Sequence, residues 1–235
     1  MAGPLLDRRQ FALGGVGAAL ALSRPARAMA ARPGLDSFRQ RARELGARAL
    51  IVMRGEETLV SDGEVAEVRR IASCRKSFVN ALYGMAVGEG KIHLDATLAE
   101  LGVDDYAPLS AIEKSATIRQ LLQARSGIYI PASAETPAMR AARPVRGSHP
   151  PGAFWYFNNW DFNVLGDIYQ RVTGEGLFTA TEHRLARPLG WRDFDALRHI
   201  QWGYEPASPR FGAYNMWMSA RDMVTLGQLL LDAVG

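Results

Sequence analysis

A chain of 235 residues with 48% hydrophobic residues is long enough to bury a core in one or two domains. Its formal charge of +4 favours a nucleic-acid partner only if the positive charge lies in the folded part of the chain. A single cysteine, Cys74, excludes an internal disulfide.

The N-terminus resembles a bacterial twin-arginine export signal. Arg8 and Arg9 precede a weakly apolar run over residues 11–22. Ala26 and Ala28 then supply the small residues of a cleavage site. The pattern predicts a cleaved leader and a protein that is periplasmic or secreted.

The length of this leader disfavours a membrane anchor, and its charge disfavours a nucleic-acid partner. The apolar run is about half the length that a membrane-spanning helix needs, so no stable membrane anchor is predicted. A cleaved signal over residues 1–28 leaves 24 Lys and Arg against 23 Asp and Glu in residues 29–235. The excess positive charge therefore lies mostly in the leader, and no nucleic-acid partner is predicted. An amphipathic N-terminal helix is the alternative interpretation of this segment.

The elements that follow are a hairpin and then helices. The segment ARALIVMRGEETLVSDG at 47–63 predicts two strands around a turn at Arg54 and Gly55. Helices are predicted from Ser73 to Gly88 or Gly90, over 118–125 after Thr117, over 160–173 after a capping Asn159, and from Ser219 onwards. A two-stranded hairpin is marginal alone and needs further strands, yet none is predicted after Ser219. We therefore expect the chain to stop before its sheet is complete.

Ser73 and Lys76 form an S-x-x-K motif at the start of the first predicted helix. Residues three apart share a helix face, so the hydroxyl and the amine are expected to lie together. The chain has three Lys and 25 Arg, so a cation needed only for charge is usually Arg here. Arg cannot release its proton, whereas a buried Lys can act as a base. A capping serine beside a solvated lysine is the alternative.

A second motif, Tyr156-Phe157-Asn158, follows a loop entered through Pro and Gly. Side chains in such loops are often displayed for catalysis. The tyrosine hydroxyl is a candidate to relay the serine proton to a leaving group, and the amide of Asn158 is a candidate to orient a substrate carbonyl. Packing of the aromatic residues in a core is the alternative for most of this segment.

These motifs together resemble the serine β-lactamase and penicillin-binding-protein superfamily, most closely its class C-like, esterase and nylon-oligomer-hydrolase branch. The resemblance covers about residues 45–235. It is carried by the ordered motifs SCRK, LLQARSG at 121–127, YFN, VTG at 172–174, RPLGW at 187–191 and SARDM at 219–223.

The resemblance implies an α+β fold, with an antiparallel sheet flanked by helices and a mainly helical subdomain, over residues 29–235. It implies that Ser73 is the acylated nucleophile, Lys76 its base, Tyr156 the proton relay and Asn158 a substrate-binding amide. The family's third motif, on a strand at the sheet edge, is expected beyond Gly235. The C-terminal strands of the sheet are therefore expected to be missing.

Other candidate sites are weaker. Cys74 lies about 100° from Ser73 around the helix and has no histidine close in sequence, which disfavours a thiol nucleophile. No metal site and no cofactor are predicted, because the histidines lack metal-ligand spacing; they are His93, His149, His183 and His199.

Two classes of function remain. In the first, an exported serine hydrolase forms an acyl-enzyme on an ester, an amide or a β-lactam, with an ester or an amide favoured over the lactam. In the second, a non-catalytic relative binds a peptide or acyl ligand in the same cleft, or the chain is an inactive fragment. The sequence does not predict the oligomeric state.

Overall fold

The computed structural model describes residues 33–204 and 210–234, so the predicted export signal over 1–28 lies outside the described residues. The chain divides into two compact units. One comprises the described residues up to Glu67 together with those from Ser219 onwards, and the other comprises Val68–Met218. Helices and antiparallel strands occur together, which confirms the α+β prediction.

The first unit contains the hairpin together with the first and the last helix of the described residues. Its elements are α1 (Pro33–Glu44), β1 (Ala49–Arg54), β2 (Glu57–Gly63) and α9 (Ala220–Val234). Helix α1 lies against β2 and α9 against β1, which covers the two-stranded sheet. The backbone N–H of Arg221 donates to Val65 O over 3.1 Å, joining the start of α9 to the chain that follows the hairpin.

The hairpin prediction is confirmed. Its strands pair antiparallel from Ala49 opposite Gly63 to Arg54 opposite Glu57, with a bulge between Val52 and Met53. Gly55 lies in the turn at a φ of +54°, a conformation that glycine adopts without steric cost.

The second unit contains a three-stranded sheet that the sequence analysis missed. Strands β3 (Arg69–Arg70), β4 (Ile200–Gly203) and β5 (Ala213–Met218) pair antiparallel in the order β3-β5-β4. The prediction that only helices follow the hairpin is therefore wrong. On β5, Tyr214, Met216 and Met218 are buried, which is the period-two alternation of a strand. Six residues are too few for that pattern to be distinctive in a sequence.

The helices of this unit are short except for two. They are α2 (Arg75–Gly88), α3 (Ala111–Lys114), α4 (Ile118–Leu122), α5 (Pro137–Ala142), α6 (Asn159–Thr173), α7 (Leu177–Thr181) and α8 (Ala196–His199). A 3-10 turn at Ala72–Cys74 precedes α2, and a π turn at Glu182–Ala186 follows α7.

The predicted helix boundaries are close to those observed. Thr117 caps α4 as expected, although this helix ends at Leu122 and not at 125. Gly174 ends α6 at a left-handed φ of +71°. The cap of α6 is Asn158, one residue before the Asn159 that was predicted.

Helices α2 and α6 pack together and form much of the core that supports the site. Leu82 and Tyr83 of α2 are fully buried, as are Leu165 and Tyr169 of α6. The Tyr83 hydroxyl donates to Leu165 O over 2.7 Å, which fixes one helix against the other. Side chains at the starts of the two helices are thereby held at a defined separation.

Candidate active site

Ser73 lies in the 3-10 turn that leads into α2. The backbone N–H of Ile71 donates to Met216 O over 3.0 Å, so the turn is attached to β5. Ala72 has a φ of +45°, a left-handed conformation that costs a residue with a Cβ about 1 kcal/mol or more. Strained backbone of this kind is common next to catalytic groups. The turn presents Ser73 half-buried at the N-terminus of α2.

The structure brings Lys76 to Ser73, as the S-x-x-K spacing predicted. The Lys76 amine lies 3.0 Å from Ser73 Oγ, and the residue is 8% exposed. Burial, and after it the neighbouring charge of Arg75, lowers the pKa of Lys76 from 10.5 to about 7. A substantial fraction of the amine is therefore uncharged at neutral pH and able to accept the serine proton.

Two phenylalanine rings enclose this amine. The centroid of Phe157 lies 4.6 Å from Lys76 Nζ and that of Phe162 lies 5.0 Å from it. Such ring faces attract an ammonium ion, but they also exclude the water that would stabilise its charge. Burial is the largest cause of the lowered pKa of Lys76.

The second partner of the amine is Asn159, which the sequence analysis assigned to helix capping. Asn159 Oδ1 accepts from Lys76 Nζ over 2.9 Å, and Asn159 Nδ2 donates to Ala134 O over 2.8 Å. Each end of the amide therefore has its own partner, which fixes its orientation. The signal for this role was the repeated Asn in YFNN, but spacing alone did not show which of the two faces Lys76.

Both ends of the Asn158 amide form hydrogen bonds within the protein. Its Oδ1 accepts from the backbone N–H of Trp160 over 3.2 Å, as a helix cap. Its Nδ2 donates to Ile128 O over 2.7 Å and to Asp161 Oδ1 over 2.8 Å. Consecutive residues on a helix point about 100° apart, so only one of Asn158 and Asn159 can face the amine. The structure brings Asn159 there and does not bring Asn158, the predicted substrate-binding amide.

The hydroxyl of Tyr156 is also directed elsewhere. It donates to Met139 O over 2.8 Å, and its ring meets Tyr129 edge-on at a centroid distance of 5.9 Å. Burial raises the pKa of Tyr156, as does the negative charge of Glu135, so the phenol remains protonated at neutral pH. The structure does not bring this hydroxyl to Ser73 and Lys76, and its relay role stays a prediction.

The partner of Asn159 lies in the loop before α5, and the partner of Tyr156, Met139, lies in α5 itself. Ala134 adopts a left-handed φ of +64°, which sets the direction of its carbonyl group. The next residue, Glu135, is buried and forms an ion pair with Arg143. Glu135 Oε2 also accepts from the backbone N–H of Ala132 over 3.2 Å. Breaking a buried ion pair is costly, so these contacts fix the shape of the loop. The loop is joined to α6 by the donation of Asn159 Nδ2 to Ala134 O over 2.8 Å.

The remaining candidates take no part in this arrangement. Cys74 is a free, exposed thiol beside Ser73.

Within residues 33–204 and 210–234 no group of three or more His, Cys, Asp and Glu side chains is placed to hold a metal ion. Over the same residues, no helix combines the length and the apolar character needed to cross a membrane.

Comparison with known proteins decides the family. The Beta-lactamase family model matches residues 35–234, which is most of the chain. The chain belongs to the Beta-lactamase family. The predicted resemblance is thereby confirmed.

Solved structures agree with this Beta-lactamase fold. A penicillin-binding protein homologue from Pyrococcus abyssi, described as octameric, has a TM-score of 0.58 at 16% identity over 85% of this chain and 56% of its own. A putative beta-lactamase from Bacteroides dorei DSM 17855 has a TM-score of 0.61 at 16% identity, and the match covers 85% of this chain and 63% of the B. dorei chain.

A class C beta-lactamase, solved as a point mutant, has a TM-score of 0.57 at 19% identity over 84% of this chain and 65% of its own. At such identities the likeness establishes the fold alone. The chain thus spans between 56% and 65% of the length of these three neighbours.

Proposed function

We propose that this chain carries the nucleophile and the general base of a serine hydrolase, with Ser73 acylated and Lys76 as its base. The 3.0 Å separation of Lys76 Nζ and Ser73 Oγ carries the proposal. It is supported by the pKa of about 7 for Lys76, because a base is most effective when its pKa is near the working pH.

The proposed reaction has two steps. The uncharged Lys76 amine takes the Ser73 proton while Oγ bonds to the substrate carbonyl carbon, and the carbonyl electron pair moves to its oxygen. Collapse of this intermediate breaks the bond to the leaving group. An amine leaving group takes the proton from the Lys76 ammonium, whereas a phenolate departs as the anion and the ammonium gives its proton to solvent water. A water molecule then attacks the acyl carbon and gives a proton to Lys76. Collapse of the second intermediate breaks the bond to Ser73 Oγ, which takes the proton back from Lys76 as the acid is released.

We propose an ester or an amide as the substrate, and an ester with a phenolate leaving group as the first one to test. Such a leaving group departs without a proton, whereas an amide nitrogen must be protonated before it leaves. The Tyr156 hydroxyl donates to Met139 O, so the amine of Lys76 is the proton donor that lies beside Ser73. The site is therefore better suited to an ester with a phenolate leaving group, which needs no proton, than to an amide.

The test is covalent labelling of Ser73 by a fluorophosphonate probe, located by mass spectrometry. Ser73→Ala should abolish labelling, whereas Ser77→Ala should retain it, because Ser77 is an exposed serine on the same helix. Cys74→Ala should also retain it. Labelling that survives Ser73→Ala would contradict the proposal, and an unreactive wild-type chain would favour a non-catalytic, ligand-binding role.

We also propose that the protein is exported by the twin-arginine route. The support is the Arg8-Arg9 pair before a short apolar run and an Ala-x-Ala site ending at Ala28. A periplasmic or secreted location would place the site where it meets small esters and amides from outside the cell.

A further inference from the structure

The segment that leads into α6 exposes three large aromatic side chains. Phe154, Trp155 and Phe157 are all exposed, Trp155 by 56% and Phe157 by 38%. Tyr156 and Asn158, which alternate with them, are buried. Apolar side chains that are exposed together, next to polar groups, often mark a binding surface. The question is which of these rings lie on the side of Ser73 and Lys76.

The even-numbered residues of the segment point to one side. The ring of Phe154 stacks on His149, with their centroids 4.3 Å apart. His149 meets Tyr129 edge-on at 6.0 Å, and Tyr129 meets Tyr156 edge-on at 5.9 Å. Phe154 and Tyr156 are thus joined by a continuous series of ring contacts, which lies on one side of the segment.

The odd-numbered residues, Trp155 and Phe157, lie on the opposite side. Burial and ring contacts alternate here, as side chains do along extended backbone, and Asn158 still has an extended φ of −97° and ψ of 113°. The Phe157 ring lies 4.6 Å from Lys76 Nζ, so this is the side of the proposed site. Residues two apart in extended backbone are separated by about 7 Å, so Trp155 continues the surface that begins at Phe157. We call the exposed surface of these two residues the aromatic wall.

The aromatic wall lies where the leaving group is expected. In the proposed reaction the Lys76 ammonium gives its proton directly to an amine leaving group, so the leaving atom must lie close to Lys76 Nζ. The ring of Phe157 lies against the same Nζ. A substituent on the leaving atom therefore meets Phe157 first and the exposed indole of Trp155 next. A planar apolar substituent gains there by covering aromatic surface and by stacking.

We propose that Trp155 and Phe157 bind the aromatic leaving group of an aryl ester, and that aryl esters are the substrate class of this site. A charged or strongly hydrated leaving group is disfavoured, because it would lose its water against two apolar rings. The inference rests on the proposed function, since it takes Ser73 as the acylated residue. Trp155 is then a specificity-determining residue that contacts the leaving group and takes no part in proton transfer.

The kinetic test compares phenyl acetate with vinyl acetate on the whole chain. Both give the same acetyl-enzyme, and neither leaving group is an amine that must be protonated first, so the two esters differ mainly in the ring. Trp155→Ala should lower kcat/KM about tenfold for phenyl acetate and less than about twofold for vinyl acetate. Trp155→Phe keeps a ring and should lose less than about threefold for phenyl acetate. Equal losses for both esters in Trp155→Ala overturn the proposal.

A matched control variant is Tyr106→Ala, which removes another exposed aromatic side chain outside the aromatic wall. It should leave kcat/KM unchanged for both esters. Because Trp155 is exposed, Trp155→Ala is expected to fold as the wild type does. A selective loss for phenyl acetate in Tyr106→Ala as large as that in Trp155→Ala overturns the assignment to Trp155.

Binding is measured separately from turnover by 19F NMR of a Ser73→Ala chain labelled with 5-fluorotryptophan. The chain has five Trp, so five signals are expected, and Trp155→Phe identifies that of Trp155. Phenyl acetate should move the Trp155 signal in a saturable way and leave the signal of the fully buried Trp160 in place. A Trp155 signal that stays in place up to the solubility limit of phenyl acetate overturns the proposal.

The two measurements distinguish failure of the aromatic wall from failure of the proposed hydrolase. A saturable shift of the Trp155 signal, in a protein that hydrolyses neither ester and is never labelled at Ser73, contradicts the hydrolase and leaves aryl binding at the aromatic wall established. A Trp155 signal that moves with protein concentration and not with phenyl acetate assigns this surface to contact with a second copy of the chain, and so overturns the proposal.

Discussion

The Lys76 amine has two neutral hydrogen-bond partners and one charged neighbour. Ser73 and Asn159 hold it in place without stabilising its positive charge as a carboxylate would. Burial and Arg75 both oppose that charge. At the residue scale, the site is therefore a lysine whose surroundings favour the free base, next to a serine that can be deprotonated.

Acylation of Ser73 should depend on pH through Lys76. The amine is protonated below its pKa of about 7, so the base is lost as the pH falls, and the labelling rate should drop about tenfold per pH unit below that value. Lys76→Arg and Lys76→Ala should each lower the rate by about 10²–10⁴ at all pH values, because Arg keeps the charge but cannot act as a base. A fluorophosphonate rate profile measures both effects. Activity restored by Arg would mean that Lys76 supplies charge alone.

Asn158 and Asn159 should respond differently to the same substitution. Asn159→Ala removes the Oδ1 that holds Lys76, so the rate of Ser73 labelling should fall at least tenfold. It also removes the donor to Ala134 O, so a loss of about 1 kcal/mol of stability is expected with it. Asn158→Ala removes the helix cap and leaves buried backbone groups unpaired, so it should cost about 1–3 kcal/mol of stability. Urea unfolding and labelling kinetics on both variants decide this. A larger kinetic defect in Asn158→Ala would reverse the assignment.

At the scale of elements, the site depends on how closely α6 approaches the sheet. Gly166 makes this approach possible, because a Cβ there would lie 3.0 Å from Trp202 Cη2 on β4 and 3.2 Å from Tyr214 Cδ1 on β5. Both rings are held by further contacts, with Trp202 stacked on Phe178 at 5.2 Å. Because Gly166 has no side chain, α6 can lie this close to the sheet, and Asn159 at the start of α6 is positioned with it.

Filling this contact should therefore destabilise the protein. Gly166→Val adds three carbons where two ring systems already meet the helix, so we expect a loss of about 1–3 kcal/mol in the free energy of unfolding. Gly84→Ala is the matched control, because Gly84 lies in α2 with open space around its Cα, and it should gain about 0.5–1 kcal/mol. Chemical denaturation measures both. Equal stability of the Val variant would mean that α6 can move away from the sheet at little cost.

At the scale of the whole molecule, the family match extends over 35–234 and includes residues of both compact units. The likeness to solved structures covers most of this chain but only 56% to 65% of three neighbours. Net charge is also distributed unevenly along the chain, since residues 1–28 contain four Arg and one Asp and so hold +3 of the formal net charge of +4. We propose that this segment acts as the export signal.

Export gives a test at this scale. Replacing Arg8 and Arg9 by Lys should leave the precursor in the cytoplasm, because the twin-arginine route requires the arginine pair and not positive charge alone. The matched control replaces Arg24 and Arg27 by Lys in the same segment and should be exported normally. Cell fractionation with an antibody against the chain measures both. Export of the Arg8 and Arg9 variant would indicate the general secretory route.

The sequence by itself determined the features that depend on neighbours along the chain. The i, i+3 spacing placed Ser73 beside Lys76, the aliphatic runs around Gly55 gave the hairpin, and Thr117 and Gly174 marked helix ends. Each follows from the geometry of one helix or one turn, which a few residues specify. The ordered motifs also indicated the family, which the match over 35–234 confirmed.

Only the tertiary structure decided which groups reach the lysine from elsewhere. Asn159 lies 83 residues from Lys76, and the choice between it and Asn158 is a rotation of about 100° that the packing of α6 sets. The direction of the Tyr156 hydroxyl, the pairing of β3, β4 and β5, and the lowered pKa of Lys76 likewise depend on burial among distant segments. Burial removes water from all sides of a group, and no local pattern of residues specifies what will replace it.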